Sequence, residues 1–143
     1  MALNIERLES SFSQIRDQGD QFTTHFYANL FADHPKVQPL FAKTNMQRQG
    51  KHLFDSLTLV VDNLRNSAVL VSTLKGLGTR HVQYGVLPVH YPMVGGALLK
   101  TLSICLGEAW TADVEQAWIE AYGAVTELML AGADYPAETL TLQ

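Results

Sequence analysis

Apolar residues recur along this chain at the three- and four-residue spacing of amphipathic helices, and no stretch alternates with the period of two that marks a strand. The first stripe is Ile5, Leu8, Phe12 and Ile15, with Asn4 placed to cap its start. Gly19 is expected to end that helix and Asp20 to cap a second, over Gln21 to Asp33. The second helix buries Phe22, Phe26, Leu30 and Phe31, with Tyr27 beside them. His34-Pro35 stops it, because proline disfavours a helical residue before it. The piece PKVQPLF is a short turn ending at Phe41, and residues 42–45 form a loop. His25 and His34, near helix ends, are expected to face solvent.

A long helix is predicted over Met46 to Arg65, with Met46, Gly50, Leu53, Leu57, Val60, Val61 and Leu64 inward. Glycine inside a helix costs roughly 1 kcal/mol against alanine, so Gly50 implies a close backbone crossing. Gln49 lies one turn before Leu53, on or beside the buried face, and His52 lies toward its flank. The next helix opens at Asn66 or Ser67 and ends at Gly85, with Leu70, Leu74, Leu77 and Tyr84 on its stripe. Another begins near His90, buries Val94, Leu98, Thr101, Leu102 and Cys105, and closes at Gly107. Thr111 caps the last, whose stripe is Val114, Trp118, Ala121, Tyr122, Val125, Leu128 and Met129. The pattern predicts an all-α domain over residues 1–132 and a polar, flexible tail over 133–143.

Composition narrows the class. With 143 residues, 47% of them hydrophobic and 17% charged, the chain is long and apolar enough for one substantial core. A formal charge of -4 argues against nucleic acid or an anionic membrane as partner. One cysteine, Cys105, excludes an internal disulfide and fits a reducing compartment. The first residues lack the basic and apolar regions of a signal peptide, and no apolar run approaches the roughly 20 residues a bilayer demands. The expectation is a cytoplasmic protein.

The chemistry centres on His81, which falls on the same stripe as Leu77 and Tyr84. An imidazole aimed into an apolar core without a partner is costly. It is either a core histidine bonded to a backbone carbonyl or a metal ligand. No His, Cys or carboxylate stands three or four residues away, which argues against zinc. A lone axial histidine suits a metal that brings its other ligands, which means haem.

A Tyr in the second helix, a Phe after a Pro-rich turn, a Gln one turn before a buried Leu and a lone His on a later helix together resemble the globins. The stretches HFYANLFADHPKVQPLF, RHVQYGVLPVHYPMVG and AWIEAYGAV are similar to those of single-domain bacterial globins and of the globin part of flavohaemoglobins. The resemblance implies a three-on-three helical fold enclosing haem b. His81 matches the proximal iron ligand, with its other ring nitrogen able to donate to the Leu77 carbonyl. Phe41 matches the aromatic that stacks on haem. Tyr27, Gln49 and Leu53 match the distal wall, and Gly50 the small residue at a helix crossing. Val86, Tyr91, Val94 and Leu98 match residues along the haem edge. Arg80 and His52 are placed to approach the propionates.

The implied function is reversible binding of O2, with CO and NO as further ligands, for storage, delivery or scavenging. The enzymatic alternative is NO dioxygenation, giving nitrate, with a separate reductase as partner. A gas or redox sensor is a third class. Two departures bear on this. Flavohaemoglobins continue into a reductase domain, whereas this sequence ends at Gln143. They also carry a glutamate on the last helix, in a network with the proximal histidine and a tyrosine. Tyr91 matches that tyrosine, but the acid's position is held by Ala133. Cys105 offers an attachment point for a bilin, but its apolar stripe favours a place in the core.

Overall fold

The computed structural model describes residues 4–83 and 89–133, and among them every regular element is a helix. We label the α-helices α1 (Ile5–Ser13), α2 (Gly19–Asp33), α3 (Met46–Asp62), α4 (Ser67–Gln83), α5 (His90–Leu106) and α6 (Ala112–Ala133). Short 3-10 helices, Pro35–Phe41 and Gly107–Ala109, follow α2 and α5. The tail beyond residue 133, and with it the expected flexible segment, lies outside the described residues, as do Tyr84, Gly85 and Val86.

Several ends follow from local chemistry. The Asn4 side chain accepts from the Arg7 amide and caps α1. The helix stops at Ser13 rather than at Gly19. The Ser11 hydroxyl donates to the Arg7 carbonyl at 2.6 Å and that of Ser13 to the Ser10 carbonyl at 2.7 Å, offering the backbone a competing partner. Ile15 stays buried in the turns that follow. Asp20 is not the cap of α2: Gln18 precedes it, and Asp20 sits in the first turn, where a carboxylate favours the helix dipole. Asn45 caps α3 through the Arg48 amide, a signal the sequence carried at the end of an expected loop. That helix ends at Asp62, three residues short of the expected Arg65. Gly107 ends α5 at a φ of 54°, where a side chain would be strained. The Thr111 hydroxyl accepts from the Val114 amide at the start of α6.

The packing joins α4 to α6 along a long seam and α2 to α5, with α3 crossing α2 and α1 resting on α6 and α3. Gly50 makes the α2–α3 crossing possible: a Cβ there would stand 2.8 Å from the Thr23 hydroxyl oxygen. Gly78 does the same for the α4–α6 seam, where a Cβ would fall on the Met129 carbonyl. Beside it the Thr79 hydroxyl donates to the Gly132 carbonyl at 2.7 Å. That carbonyl lies in the last turn of α6, beyond reach of an intrahelical donor.

The apolar interior divides in two. The larger cluster unites Leu8, Phe12, Ile15, Phe22, Phe26, Tyr27, Phe54, Leu98, Leu102 and Trp118. Phe54 stacks on Phe12 at 5.4 Å between ring centroids. Trp118 seats its indole N–H on the Ser11 hydroxyl at 2.9 Å, which joins α6 to α1 without leaving a buried donor unmet. Asn29 bridges α2 and α5 through the Thr101 hydroxyl at 3.1 Å. The smaller cluster, Leu74, Tyr91 and Met129 with Leu70 and Leu77 packed on it, lies along the α4–α6 seam. The candidate site residues are distributed on either side of this division.

Candidate functional site

On the α4 side stands His81, half-buried at the C-terminal end of the helix. Its Nδ1 lies 2.7 Å from the Leu77 carbonyl oxygen. A carbonyl only accepts, so Nδ1 carries the proton and Nε2 of the neutral ring carries the lone pair. Burial pushes the imidazole below its ordinary value, the carbonyl bond pulls it back up, and the Arg80 charge pushes it down again. The result is a neutral ring at pH 7, the form that binds a metal. Both readings of His81 are thus joined in one geometry: the carbonyl bond is present, and it orients the second nitrogen.

On the other side α2, the 3-10 helix and α3 build an aromatic and polar wall. Tyr27 is 8% exposed and belongs to the larger cluster. Its ring meets Phe41 edge-on at 5.6 Å and lies 5.9 Å from Phe31. Phe31 in turn packs on Phe41 at 5.4 Å. The sequence placed Phe31 only on a core stripe. Its spacing of four residues from Tyr27 was the signal that it would join this wall. Burial raises the Tyr27 phenol above its usual value, and a hydrogen bond with the Gln49 side chain lowers it. Gln49 is half-buried, as a residue on or beside the inward face of α3 should be.

Leu53 and Val94 are partly buried against the larger cluster, and Leu98 belongs to it; Tyr91 belongs to the smaller one. The Tyr122 hydroxyl donates to the Tyr91 carbonyl at 2.7 Å and ties α6 to the first turn of α5. Burial pushes the Tyr122 phenol well up. Nothing in the sequence pattern singled out that bond, because it depends on how α5 and α6 cross. His52 and Arg80 are exposed. His25 is exposed as expected, whereas His34 is half-buried, drawn inward where α2 meets the 3-10 helix. Cys105 is half-buried against the larger cluster, and burial pushes its thiol up, away from the reactive thiolate.

The donor set fits one kind of metal group. Among the described residues no cluster of three or more His, Cys, Asp and Glu could hold an ion. A bare cation would find one imidazole here, too few ligands for a closed site. A group supplying four equatorial nitrogens needs one more from the protein, which Nε2 of His81 can give.

The comparisons agree with this arrangement. The profile of the family described as Globin matches residues 24–129. The flavohemoprotein of Bacillus subtilis is 30% identical over 128 residues, covering 88% of this chain and 32% of that protein. That of Vibrio cholerae is 29% identical over 129 residues, covering 89% and 33%. The chain therefore spans about a third of the length of these relatives. Among solved structures, a bacterial globin from Campylobacter jejuni superposes with a TM-score of 0.78 at 25% identity, covering 97% of each chain. An engineered carbene transferase from Rhodothermus marinus shares the fold at a TM-score of 0.81 and 23% identity, covering 96% of this chain and 94% of the other. With a profile match running from within α2 to within α6, and an all-helical fold shared with a bacterial globin, the chain belongs to the globin family.

Proposed function

We propose that this globin holds haem b through His81 and reversibly binds diatomic ligands, O2 first, on the side walled by Tyr27, Gln49 and Leu53. The family implies haem, and the observation that carries the reading is the His81 ring, whose Nδ1 is committed to the Leu77 carbonyl so that Nε2 is presented for a metal. When bound, the haem supplies four equatorial nitrogens and an iron able to take a diatomic ligand.

The chain's own residues do the rest. His81 presents Nε2 because Nδ1 is committed to Leu77. Phe41, Leu53, Val94 and Leu98 are assigned to an apolar lining that keeps water out, and Val86 and Tyr91 to the same lining by their resemblance to haem-edge residues of globins. Arg80 and His52 are assigned to the propionates on their exposure and charge. Tyr27 offers an O–H and Gln49 an amide N–H to a partly negative ligand. Absorption spectra of the purified protein, ferric, ferrous and ferrous with CO, test the assignment. His81→Ala is expected to lose haem or its normal spectrum, and a variant with wild-type affinity and spectra would overturn the ligand role.

A second reading, NO dioxygenation, draws support from the flavohemoprotein relatives, which this chain matches over a third of their length. In that reaction NO, O2 and one electron give nitrate, and a separate reductase must return the iron to the ferrous state. Sustained NO consumption with NADH and a reductase favours it, and slow re-reduction by every donor favours binding alone. A cytoplasmic setting suits the single Cys105, which a reducing compartment leaves as a thiol.

A further inference from the structure

The charges of this chain are segregated along it. Residues 34–107 carry eight Lys and Arg against two Asp, whereas residues 1–33 and 108–143 together carry two Arg against twelve Asp and Glu. An acidic protein thus has a cationic middle, and that middle supplies the 3-10 helix, α3, α4 and α5 around the candidate site.

Ion pairs neutralise part of it. Arg65 bonds Glu9 and Lys100 bonds Asp33, each reaching back to an acidic terminal element. Lys36, Lys43, Arg48, Lys51 and Arg80 are exposed and make no ion pair among the described residues. Arg48, Lys51 and His52 follow one another within a turn of α3 and form one exposed face beside half-buried Gln49. Arg80 immediately precedes His81. Placement of these cations also runs against local preference. The first turns of α1, α2 and α6 hold Glu6, Asp20, and Asp113 with Glu115, those of α4 and α5 hold no acid, and that of α3 holds no acid and bears Arg48. A cation at a helix N-terminus opposes the dipole, so folding does not ask for it. A local rule broken without a structural gain is the mark of a functional surface.

We propose that Lys43, Arg48 and Lys51 form the docking face for an acidic one-electron donor protein. The inference rests on haem lying between Gln49 and His81, as proposed above. Lys43 and the cationic turn of α3 would then border its edge on the Gln49 side, a route for an electron from outside. In the encounter the donor's reduced group loses one electron and the ferric iron gains it. Charge complementarity selects the occupant: a net charge of -4 repels an acidic donor as a whole, while the local face attracts and orients it.

Net charge and local face predict opposite signs, which makes the test sharp. The ferric protein is mixed with reduced flavodoxin, an acidic one-electron flavoprotein, in a stopped-flow apparatus between low and moderate ionic strength. Attraction by the cationic face makes the second-order rate fall about tenfold as salt rises, within the range of electrostatic steering. The net charge alone would make it rise. Arg48→Glu with Lys51→Glu should abolish the fall, while Glu115→Lys on α6 leaves it in place. A rate that rises with salt in the wild-type protein, or a slope indifferent to the Arg48 and Lys51 reversals, overturns the proposal.

A second measurement needs no haem. Hexacyanochromate(III), an inert paramagnetic trianion, is expected to broaden backbone amide resonances around residues 43–52. Uniform broadening, or broadening elsewhere, overturns the docking face. Salt-sensitive dimerisation lost in the same variants would assign the face to a second copy of this chain and likewise overturn it. A purified chain without a haem spectrum would sink the functional reading, and the amide mapping would still decide the cationic face.

Discussion

Replacing Tyr27 with Phe removes one hydroxyl from a buried wall and leaves the ring contacts to Phe26, Phe31 and Phe41 in place. The hydroxyl stands beside the Gln49 side chain, and its O–H can donate to a bound ligand. O2 held opposite His81 draws electron density and carries partial negative charge on its outer atom, whereas CO carries far less. A hydrogen bond to a charged acceptor is worth about 1.5–3 kcal/mol, or roughly ten- to a hundredfold in a rate of release, and partial charge places O2 toward the lower end. Tyr27→Phe should therefore speed O2 dissociation roughly tenfold and change CO dissociation much less. Gln49 neighbours the phenol, and its amide N–H can serve the same ligand. Its loss in Gln49→Leu should have a smaller effect of the same sign, and the double variant should fall short of the sum because the two groups form one hydrogen-bond relay to the ligand. Stopped-flow O2 and CO release on the three variants reads all of this. The pH dependence adds a check of sign. Burial raises the Tyr27 phenol above 10.0, so the proton is retained where a free tyrosine begins to lose it. Slow O2 release should persist through pH 10 and give way only beyond it. Small and equal changes for both gases in Tyr27→Phe, or additive effects of the two substitutions, would refute the relay.

Other substitutions report on the frame. Gly50→Ala, which in an open helix would gain roughly 1 kcal/mol, should instead lower the urea midpoint, because its Cβ would meet the Thr23 hydroxyl oxygen at 2.8 Å. Thr23→Ala should restore part of the loss. His52 is exposed and Gln49 is a poor iron ligand, so the ferrous protein should be five-coordinate with a spectrum unchanged in His52→Ala. Low-spin bands lost in that variant would show His52 on the iron. Cys105, half-buried with its thiol pushed up, should react with a disulfide reagent at pH 8 far more slowly than a free thiol, and a fast reaction would reopen covalent attachment there.

What the sequence determined by itself is the part that rests on one-dimensional rules. Helical spacing decided the class, and the caps at Asn4 and Thr111 and the stop at Gly107 marked ends correctly because caps act within three or four residues. His81 stood out because an imidazole on an apolar stripe demands a partner, and Leu77, one turn back, is a partner the helix itself supplies. Gly50 announced a crossing because glycine inside a helix needs a reason, and Thr23 is that reason. The first helix was misjudged in length, since Ser11 and Ser13 divert hydrogen bonds locally and Gly19 opens the next helix. Tertiary structure alone decided which elements meet. The Tyr27–Gln49 bond, the place of Phe31 beside Phe41, the Tyr122 anchor on α5 and the Gly78–Met129 approach each join residues on different helices. Periodicity fixes which face of a helix is buried, but the partner of that face depends on crossing angles and translations set by all the side chains at once. For that reason candidate residues could be named from the chain, whereas their division between two apolar clusters required the fold.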